Sequence, residues 1–313
     1  MQEGTDKQDI RIIFMGTGEF ALPSLEVMAP WITLVVSQPD RPSGRGLKVM
    51  PTPIKKRALE LGLKVETPKK CSDPIFVEKL KHESADFLLV AAYGQILSEA
   101  VLKSAKHGGI NLHGSILPKY RGAAPIQHAI FHGEAETGVT LMQMDKGMDT
   151  GDIIEIQKTS LAPDETYGNL QDRLSYIAAS LCQKWSYLIA EGRYPRKPQE
   201  SALATLAPKI QKEERELSFW RSAKEEYNRF KALSPKPGAL LMSAIGLLKL
   251  IDIQLSSLRG PAGMILQTNP ELIVGLEEGS LILKEIQPSG KKPISGVDLV
   301  NGYRLKQGDS FSG

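Results

Sequence analysis

The sequence is poor in cysteine and has no long apolar run, and each shortage excludes a class of protein. Its two cysteines, Cys71 and Cys182, fit neither a metal-binding nor a redox spacing and cannot form a disulfide scaffold, so we expect a reducing, cytoplasmic setting. No run reaches the roughly 18 apolar residues of a membrane span. Residues 1–9 are polar and lack the apolar core of a secretory signal, so we expect a disordered tail there.

The remaining composition is that of an ordinary globular protein. The chain has 313 residues, of which 41% are hydrophobic and 24% are charged, and this balance excludes disordered and fibrous classes. Its length suits two domains of roughly 100–200 residues each. The net charge of +3 is too small to indicate nucleic-acid binding by itself, so the distribution of charge matters more than its sum.

Apolar runs alternate with helical patterns over residues 10–192. The runs IRIIFMG, ITLVVS and DFLLVAAYG predict strands that are apolar on both faces, and a long helix is predicted at 169–191. Strands of this kind are typical of a parallel sheet that is covered on both sides. We therefore predict an α/β catalytic domain with a Rossmann-like, mostly parallel sheet and helices on both faces.

The pattern changes after residue 192. Residues 193–208 contain three prolines and little periodicity, so they are predicted to be a linker. Residues 209–313 hold one helical stretch, at 222–233, followed by short alternating runs that glycine and proline separate at hairpin-like intervals. We predict a small C-terminal β-barrel domain of the OB-like kind, which often binds oligomers.

Asn111 and His113 lie two positions apart in a predicted strand that ends near Gly114. Side chains at this spacing share one face, so the amide and the imidazole point together. Ligands bind at the carboxyl edge of open α/β sheets, and this pair suits a reaction that builds negative charge on a carbonyl oxygen. The same spacing also fits a structural asparagine beside a histidine that caps the strand, so the pattern alone leaves both interpretations open.

Asp149 and Asp152 lie in a glycine-flanked turn after another predicted strand. They either stabilise the turn alone, or Asp149 reaches His113, fixes its tautomer and favours its charged form. No cluster has the ligand spacing of a metal site, so we expect no metal. The run Gly16-Thr17-Gly18 resembles half of a dinucleotide fingerprint, but a tight strand-to-helix turn is the favoured interpretation.

Residues 37–57, the basic segment, hold six basic side chains and a single acidic one, Asp40. Such a run often only forms a solvated surface. Here glycines and prolines predict an exposed arm with a one-sided charge, and this favours contact with phosphates. Arg41 and Arg45 are the candidates within the segment, and Lys209 near the linker could extend the same surface.

The stretch that begins at Asn111 resembles a known signature. Asn111 and His113, followed by Ser115-Ile116-Leu117-Pro118 and then Arg121-Gly122, are similar to the motif of formyltransferases that use 10-formyltetrahydrofolate. Asp149 stands 36 residues after His113, as the catalytic aspartate of that family does. The stretches RGAAPIQ, MDKGMDTGDI and QPDRPSGRG resemble the branch that acts on methionyl-tRNA, and the resemblance extends from Ile10 into the C-terminal β region.

The resemblance implies transfer of a formyl group from 10-formyltetrahydrofolate to the α-amino group of methionyl-initiator tRNA. It assigns Asn111 and protonated His113 to the oxyanion and Asp149 to the imidazole. The implied folate-binding residues are Ser115, Ile116, Leu117 and Pro118. The implied tRNA-binding residues are Arg45, Arg41 and Lys209. The strand from Leu88 to Tyr93 could pair with the pterin through its backbone.

Two other functions stay open at this point. A formyltransferase for amino-sugar nucleotides would share all three catalytic residues, but it would have no need of the basic segment. A non-catalytic RNA-binding protein would use the β domain and the basic segment, but it would have no use for the paired Asn111 and His113. For the favoured function we expect a monomer with no membrane contact.

Overall fold

The structure, a computed structural model, describes residues 10–43 and 48–312. The tail at residues 1–9 and Arg45 lie outside the described residues. The chain divides into two compact units. Unit 1 consists of Met1–Pro125, Glu136–Thr159 and Gln171–Pro208, and unit 2 consists of Ile126–Ala135, Ser160–Leu170 and Lys209–Gly313.

Strands and helices alternate up to residue 190. The strands are β1 (Ile12–Gly16), β2 (Ile32–Val36), β3 (Arg41–Ser43), β4 (Lys48–Met50), β5 (Val65–Glu66), β6 (Phe87–Ala91), β7 (Gly109–His113), β8 (Glu136–Gln143) and β9 (Ile153–Ser160). The helices are α1 (Leu22–Met28), α2 (Pro53–Glu60), α3 (Pro74–His82), α4 (Glu99–Leu102), α5 (Pro125–Phe131) and α6 (Tyr167–Ala190).

The main sheet of unit 1 has the strand order β5-β2-β1-β6-β7-β8-β9. The pairs from β5 to β7 are parallel, and β8 is antiparallel to β7. Every residue of β1, β6 and β7 is buried, as expected for strands that are covered on both faces. The structure thus confirms the Rossmann-like, parallel-rich α/β sheet. Its order reverses between β1 and β6, which marks the carboxyl ends of these strands as a ligand-binding crevice.

Local sequence rules set the starts of the helices beside this crevice. The hydroxyl of Thr52 accepts a hydrogen bond from Lys55 N at 3.0 Å, and Pro53 takes the first position of α2. A capping hydroxyl followed by proline is a common helix start. The hydroxyl accepts a hydrogen bond from one otherwise unpaired N–H, and proline has no N–H that would need a partner. Asp73 and Pro74 begin α3 in the same way.

Three parts of unit 1 differ from what the periodicity indicates. The basic segment contains a short antiparallel hairpin, β3 and β4, and β9 adds an edge strand that the sequence analysis did not predict. Residues 193–208 are hydrogen-bonded to other parts of unit 1. Lys197 and Ile153 exchange backbone hydrogen bonds at 2.8 and 3.0 Å, and Ala207 N donates to Arg121 O at 2.7 Å.

Unit 2 is built on a second sheet. Its strands are β10 (Glu216–Leu217), β11 (Leu240–Ser243), β12 (Gly246–Ser256), β13 (Ile265–Gln267), β14 (Leu272–Gly275), β15 (Ser280–Pro288) and β16 (Ile294–Ser295), and its helices are α7 (Ala223–Leu233) and α8 (Gly296–Tyr303). The strand order is β10-β11-β12-β15-β14-β13, with β16 on β15. Register shifts near Asp252 interrupt the β12–β15 ladder, and irregularities of this kind bend a strand.

The β-rich C-terminal region is confirmed, but the closed OB-like barrel is not. Within the described residues, the pairing forms an open path, so the sheet is a curled half-barrel. Its concave core is closed by α7, which starts at a Ser222–Glu225 capping box and buries Tyr227, Phe230 and Leu233. No helix in the described part of the chain is both long and apolar enough to cross a membrane.

Candidate active site

The candidate site lies at the carboxyl end of β7. This strand ends at His113, and Asn111 and His113 occupy one face of it, as the spacing predicts. Their residues are only 9% and 5% exposed. Because β7 pairs with β6 on one side and β8 on the other, its backbone cannot shift independently, and both side chains project from a rigid base.

A backbone carbonyl orients the imidazole of His113. The Nε2 atom lies 2.8 Å from the carbonyl oxygen of Tyr120. A carbonyl can only accept, so Nε2 carries a proton, and Nδ1 is the nitrogen available for other contacts. The sequence left open whether Asp149 fixes the tautomer, and the structure places another acceptor against the ring. Tyr120 fixes it through a main-chain atom, which leaves no signal in the sequence.

Asp149 lies against both polar side chains of β7. Its Oδ2 atom is 3.6 Å from His113 Nδ1, and its Oδ1 atom accepts a hydrogen bond from Asn111 Nδ2 at 3.4 Å. The main-chain N–H of Gly122 donates to Oδ2 at 2.8 Å. The structure therefore brings the three predicted catalytic residues together at one sheet edge.

The turn that carries Asp149 has little freedom. Asp149 has a φ of 55°, in the left-handed region that few non-glycine residues adopt. A Cβ at Gly151 would lie 1.9 Å from the carbonyl oxygen of Gln143, so this position cannot accept a side chain. The carboxylate of Asp145 accepts a hydrogen bond from the Thr150 hydroxyl at 2.6 Å and ties the turn to its own start.

The predicted folate-binding run Ser115–Pro118 follows β7 directly. Ser115 and Leu117 are buried, and the hydroxyl of Thr140 bonds to the backbone of both, donating to Ser115 O at 2.6 Å and accepting from Leu117 N at 3.1 Å. The Ser115 hydroxyl donates to Lys119 O at 2.7 Å. Only Ile116 and Pro118 of this run have partly exposed side chains.

The structure excludes backbone pairing with a pterin for half of the strand Leu88–Tyr93, and for the other half the pairing stays a prediction. From Leu88 to Val90, β6 pairs with β1 on one side and β7 on the other. A strand in the middle of a sheet has no free edge to offer. Three residues after Val90, the carbonyl oxygen of Tyr93 accepts from the hydroxyl of Thr17 at 2.8 Å.

A cavity of about 470 Å³ lies at the carboxyl ends of β1, β2 and β6, where the strand order reverses. Its wall includes the apolar residues Met50, Pro51 and Ala92, and its polar groups include Gln38 and Arg41. Pockets of this size hold small ligands. The cavity opens beside β6, the strand next to the one that carries Asn111 and His113.

The basic side chains that the structure describes in the basic segment are partly or fully exposed. Lys55 Nζ lies 2.8 Å from both carboxylate oxygens of Asp40, and Arg57 pairs with Glu26 at 2.7 Å. Arg41 is exposed and donates to the Gln38 amide oxygen at 3.3 Å. Arg45 lies outside the described residues. Lys209 is exposed in unit 2.

Sequence reasoning missed three residues that hold the site: Tyr120, Thr140 and Gln199. Tyr120 acts through a main-chain atom. Thr140 lies in a strand, and nothing in the sequence distinguishes its hydroxyl from that of other strand threonines. Gln199 lies in the segment predicted to be a linker, where no periodic pattern directs attention to it. Among the described residues, no group of three or more His, Cys, Asp or Glu side chains is arranged to hold a metal ion.

Comparison with known proteins identifies the family. The sequence pattern described as "Formyl transferase" matches residues 22–182, and the pattern described as "Formyl transferase, C-terminal domain" matches residues 209–304. The chain belongs to the formyltransferase family. It is 40% identical over 301 residues to a protein of Myxococcus xanthus named methionyl-tRNA formyltransferase, a match that covers 95% of this chain and 96% of the relative. A protein of the same name from Moorella thermoacetica is 40% identical over 306 residues, covering 96% and 98%.

Solved structures share the formyltransferase fold at low sequence identity. An N-formyltransferase from Helicobacter canadensis, in complex with folinic acid and dTDP-3-aminofucose, superposes with a TM-score of 0.66 at 19% identity, covering 88% of this chain and 98% of the other. HypX from Aquifex aeolicus, in complex with tetrahydrofolic acid, gives a TM-score of 0.64 at 14% identity, covering 98% of this chain and 51% of the other. These likenesses concern the fold alone.

Proposed function

We propose that this formyltransferase transfers a formyl group from 10-formyltetrahydrofolate to the α-amino group of methionyl-initiator tRNA, for translation initiation. The observation that carries this function is the meeting of Asn111, His113 and Asp149 at the end of β7, in a chain of this family. Relatives named for this activity match it at about 40% identity over nearly its whole length.

Asn111 and His113 are suited to stabilise the negative charge that develops on the formyl oxygen. Asn111 Nδ2 is an amide donor on a rigid strand, and His113, when protonated, donates from Nδ1. Donors that are fixed before the reaction stabilise developing charge without a cost of reorganisation at that moment. The long 3.4 Å contact between Asn111 and Asp149 leaves the amide free to turn towards a substrate oxygen.

Asp149 is suited to handle the proton that the amine must lose. Its carboxylate is 3.6 Å from His113 Nδ1 and is held by the Gly122 N–H. It can accept a proton from the attacking amine, directly or through water, and His113 can return one to the leaving nitrogen. The residues need no covalent intermediate, which agrees with the burial of both cysteines away from this site.

The formyl donor is a substrate that supplies an activated one-carbon group. Ile116 and Pro118 are the residues of the Ser115–Pro118 run whose side chains remain accessible to it. Ser115 and Leu117 would act indirectly, because their hydrogen bonds to Thr140 and Lys119 shape the run. The cavity at the ends of β1 and β6 suits the methionyl side chain, since Met50, Pro51 and Ala92 form an apolar surface against which its thioether can pack.

The tRNA would be bound by basic side chains on both units. Arg41 is exposed in unit 1 and Lys209 is exposed in unit 2, and both could contact phosphates, with Arg45 as a third contact. The half-barrel of residues 209–313 would serve as an OB-like tRNA-binding domain that follows the catalytic domain of residues 10–192 and the linker of residues 193–208. The protein would act as a monomer in the cytoplasm.

The test is transfer of a labelled formyl group from 10-formyltetrahydrofolate to three acceptors: methionyl-initiator tRNA, methionyl-elongator tRNA and a dTDP-linked amino sugar. The function predicts rapid transfer to the initiator, slow transfer to the elongator and none to the sugar. A His113→Ala variant is the control for non-enzymatic transfer. Transfer to the amino sugar without transfer to either tRNA would replace the proposed function by that of a sugar-nucleotide formyltransferase.

A further inference from the structure

Gln199 contacts the loop of Asp149 from a segment that the reaction does not otherwise use. Its side-chain Nε2 donates to Asp149 O at 2.9 Å and to Gly151 O at 2.7 Å. Its Oε1 accepts from Arg121 Nε at 3.1 Å and from Arg121 Nη2 at 2.8 Å. Both N–H groups and both oxygen lone pairs of this amide are therefore used within unit 1.

We propose that Gln199 and Arg121 form a clamp that positions the carboxylate of Asp149 for formyl transfer, with Gln199 as the positioning residue. The inference rests on the proposed function, because it gives Gln199 no role apart from Asp149. Gln199 contacts neither His113 nor Asn111 in the described residues, so it acts through the backbone of the Asp149 turn.

The chemistry of the two partners fixes which way the amide points. A guanidinium only donates and a carbonyl only accepts, so the Gln199 oxygen must face Arg121 and its nitrogen must face the turn. Arg121 is 7% exposed, and its planar fork presents two parallel donors to one oxygen. The arginine therefore sets the orientation of the amide, and the amide sets the turn.

The clamp stabilises the Asp149 turn, whose backbone conformation is unfavourable for a residue with a side chain. Asp149 has a φ of 55°, and the left-handed conformation is costly for a residue with a side chain unless its surroundings impose it. Gln199 joins the carbonyls on either side of Thr150, so it spans the point where the chain reverses. On the other side, the Gly122 N–H binds the Asp149 carboxylate at 2.8 Å, and Gly122 is the residue after Arg121. Arg121 thus holds the backbone of Asp149 through Gln199, and Gly122 holds its side chain directly.

Other residues at position 199 would break the clamp in distinct ways. Glutamate has nearly the same shape but offers only acceptors, so two carbonyls would face a negative charge. Alanine removes all four hydrogen bonds. Glu200→Ala is the matched control, because Glu200 is the neighbouring residue, exposed, and makes no side-chain cap in the short helix that follows it.

The kinetic test uses the full chain and a double-mutant cycle. Gln199→Ala and Gln199→Glu should each lower kcat by about 100-fold, the scale of a 1 Å misplacement of a reacting group, and leave KM for both substrates unchanged. Glu200→Ala should match the wild type. Gln199→Ala in an Asp149→Ala background should cause no further loss. The proposal is overturned if Gln199→Ala keeps the wild-type kcat or if it costs the same factor with and without Asp149.

A second measurement does not depend on activity. Hydrogen exchange at the Gly122 amide should be faster in Gln199→Ala than in Glu200→Ala, while exchange in β6 stays the same in both. Unchanged exchange at Gly122 would overturn the clamp even in an active enzyme. If the wild-type protein transferred no formyl group to methionyl-tRNA, the proposed function would fail, and the exchange result would still decide whether the clamp exists.

Discussion

The sheet edge at the end of β7, which the proposed function makes the catalytic edge, and the basic segment are built in opposite ways. At the edge, Asn111 and His113 are 9% and 5% exposed, the main-chain carbonyl of Tyr120 binds His113, and the main-chain N–H of Gly122 binds Asp149. In the basic segment, the described cations are solvated, and the Lys55–Asp40 pair keeps 24% and 31% of its side-chain surfaces exposed.

The proposed function accounts for this difference. A reacting group must be held within a fraction of an ångström, and burial with main-chain hydrogen bonds provides that precision. Phosphate contacts tolerate looser geometry, because charge attraction falls off slowly and long basic side chains can adjust. The catalytic edge should therefore be sensitive to small changes of geometry and the basic segment to changes of charge and salt.

The largest effect should come from removing a charge-stabilising donor at the edge. Asn111→Ala and His113→Ala should each lower kcat by about 100- to 1000-fold, as loss of one such donor does in other enzymes. Binding of methionyl-tRNA, measured by filter retention, should stay at the wild-type level. If either variant had near-normal kcat, that residue would not belong to the catalytic cluster.

Displacing the Asp149 turn without removing a catalytic side chain should lower kcat nearly as much. Gly151→Ala adds one methyl group that would meet the Gln143 carbonyl at 1.9 Å, so the Asp149 turn must move. A shift of about 1 Å at a reacting group can cost on the order of 100-fold in rate. Gly302→Ala, in α8, is a control for the cost of adding a methyl group, since nothing lies near its Cβ position and its φ is not positive. Equal kcat values for the two variants would show that the turn does not constrain the reaction.

Changes of charge in the basic segment should act on binding. Arg41→Ala should raise KM for methionyl-tRNA several-fold and leave kcat and folate affinity unchanged. The dependence of log binding constant on log salt should flatten by about one unit if Arg41 makes one phosphate contact. Arg41→Lys, which keeps the charge, should retain most of the salt dependence. A KM that is unchanged at every salt concentration would remove Arg41 from the tRNA surface.

The smallest effect should come from the half-buried ion pair of Lys55 and Asp40. Asp40→Asn removes the partner of Lys55, and a pair with this exposure contributes no more than about 1 kcal/mol to the free energy of unfolding. The freed lysine should bind tRNA more tightly at low salt. Urea unfolding and tRNA titration measure the two effects, and a loss of stability well above 1 kcal/mol would mean that this region is held as firmly as the edge.

The sequence predicts the sheet well because its inner strands are continuous apolar runs. It predicts β1, β2, β6 and β7, and therefore the edge on which Asn111 and His113 lie, from periodicity alone. The turn pattern leaves Asp149 either a partner of His113 or a residue of the turn alone, and the resemblance to formyltransferases favours the first.

Other features depend on contacts that carry no local pattern. The carbonyl of Tyr120 is a main-chain group, and Gln199 reaches the site through the pairing of residues 205–207 with the loop before α5. The edge strand β9 is half-exposed and mixes polar and apolar residues, so its periodicity is weak. The register shifts of β12 near Asp252 also lie outside what the alternation of its residues reveals.

The central claim is that the edge performs the chemistry and the basic segment only recruits tRNA. A single-turnover measurement of formyl transfer, with enzyme in large excess over labelled methionyl-initiator tRNA, tests it directly, because saturation removes differences in binding. Under these conditions Arg41→Ala should reach the wild-type rate, and Asn111→Ala should remain about 100-fold or more slower. A wild-type rate for Asn111→Ala, or an Arg41→Ala rate that stays low at saturation, would contradict this account.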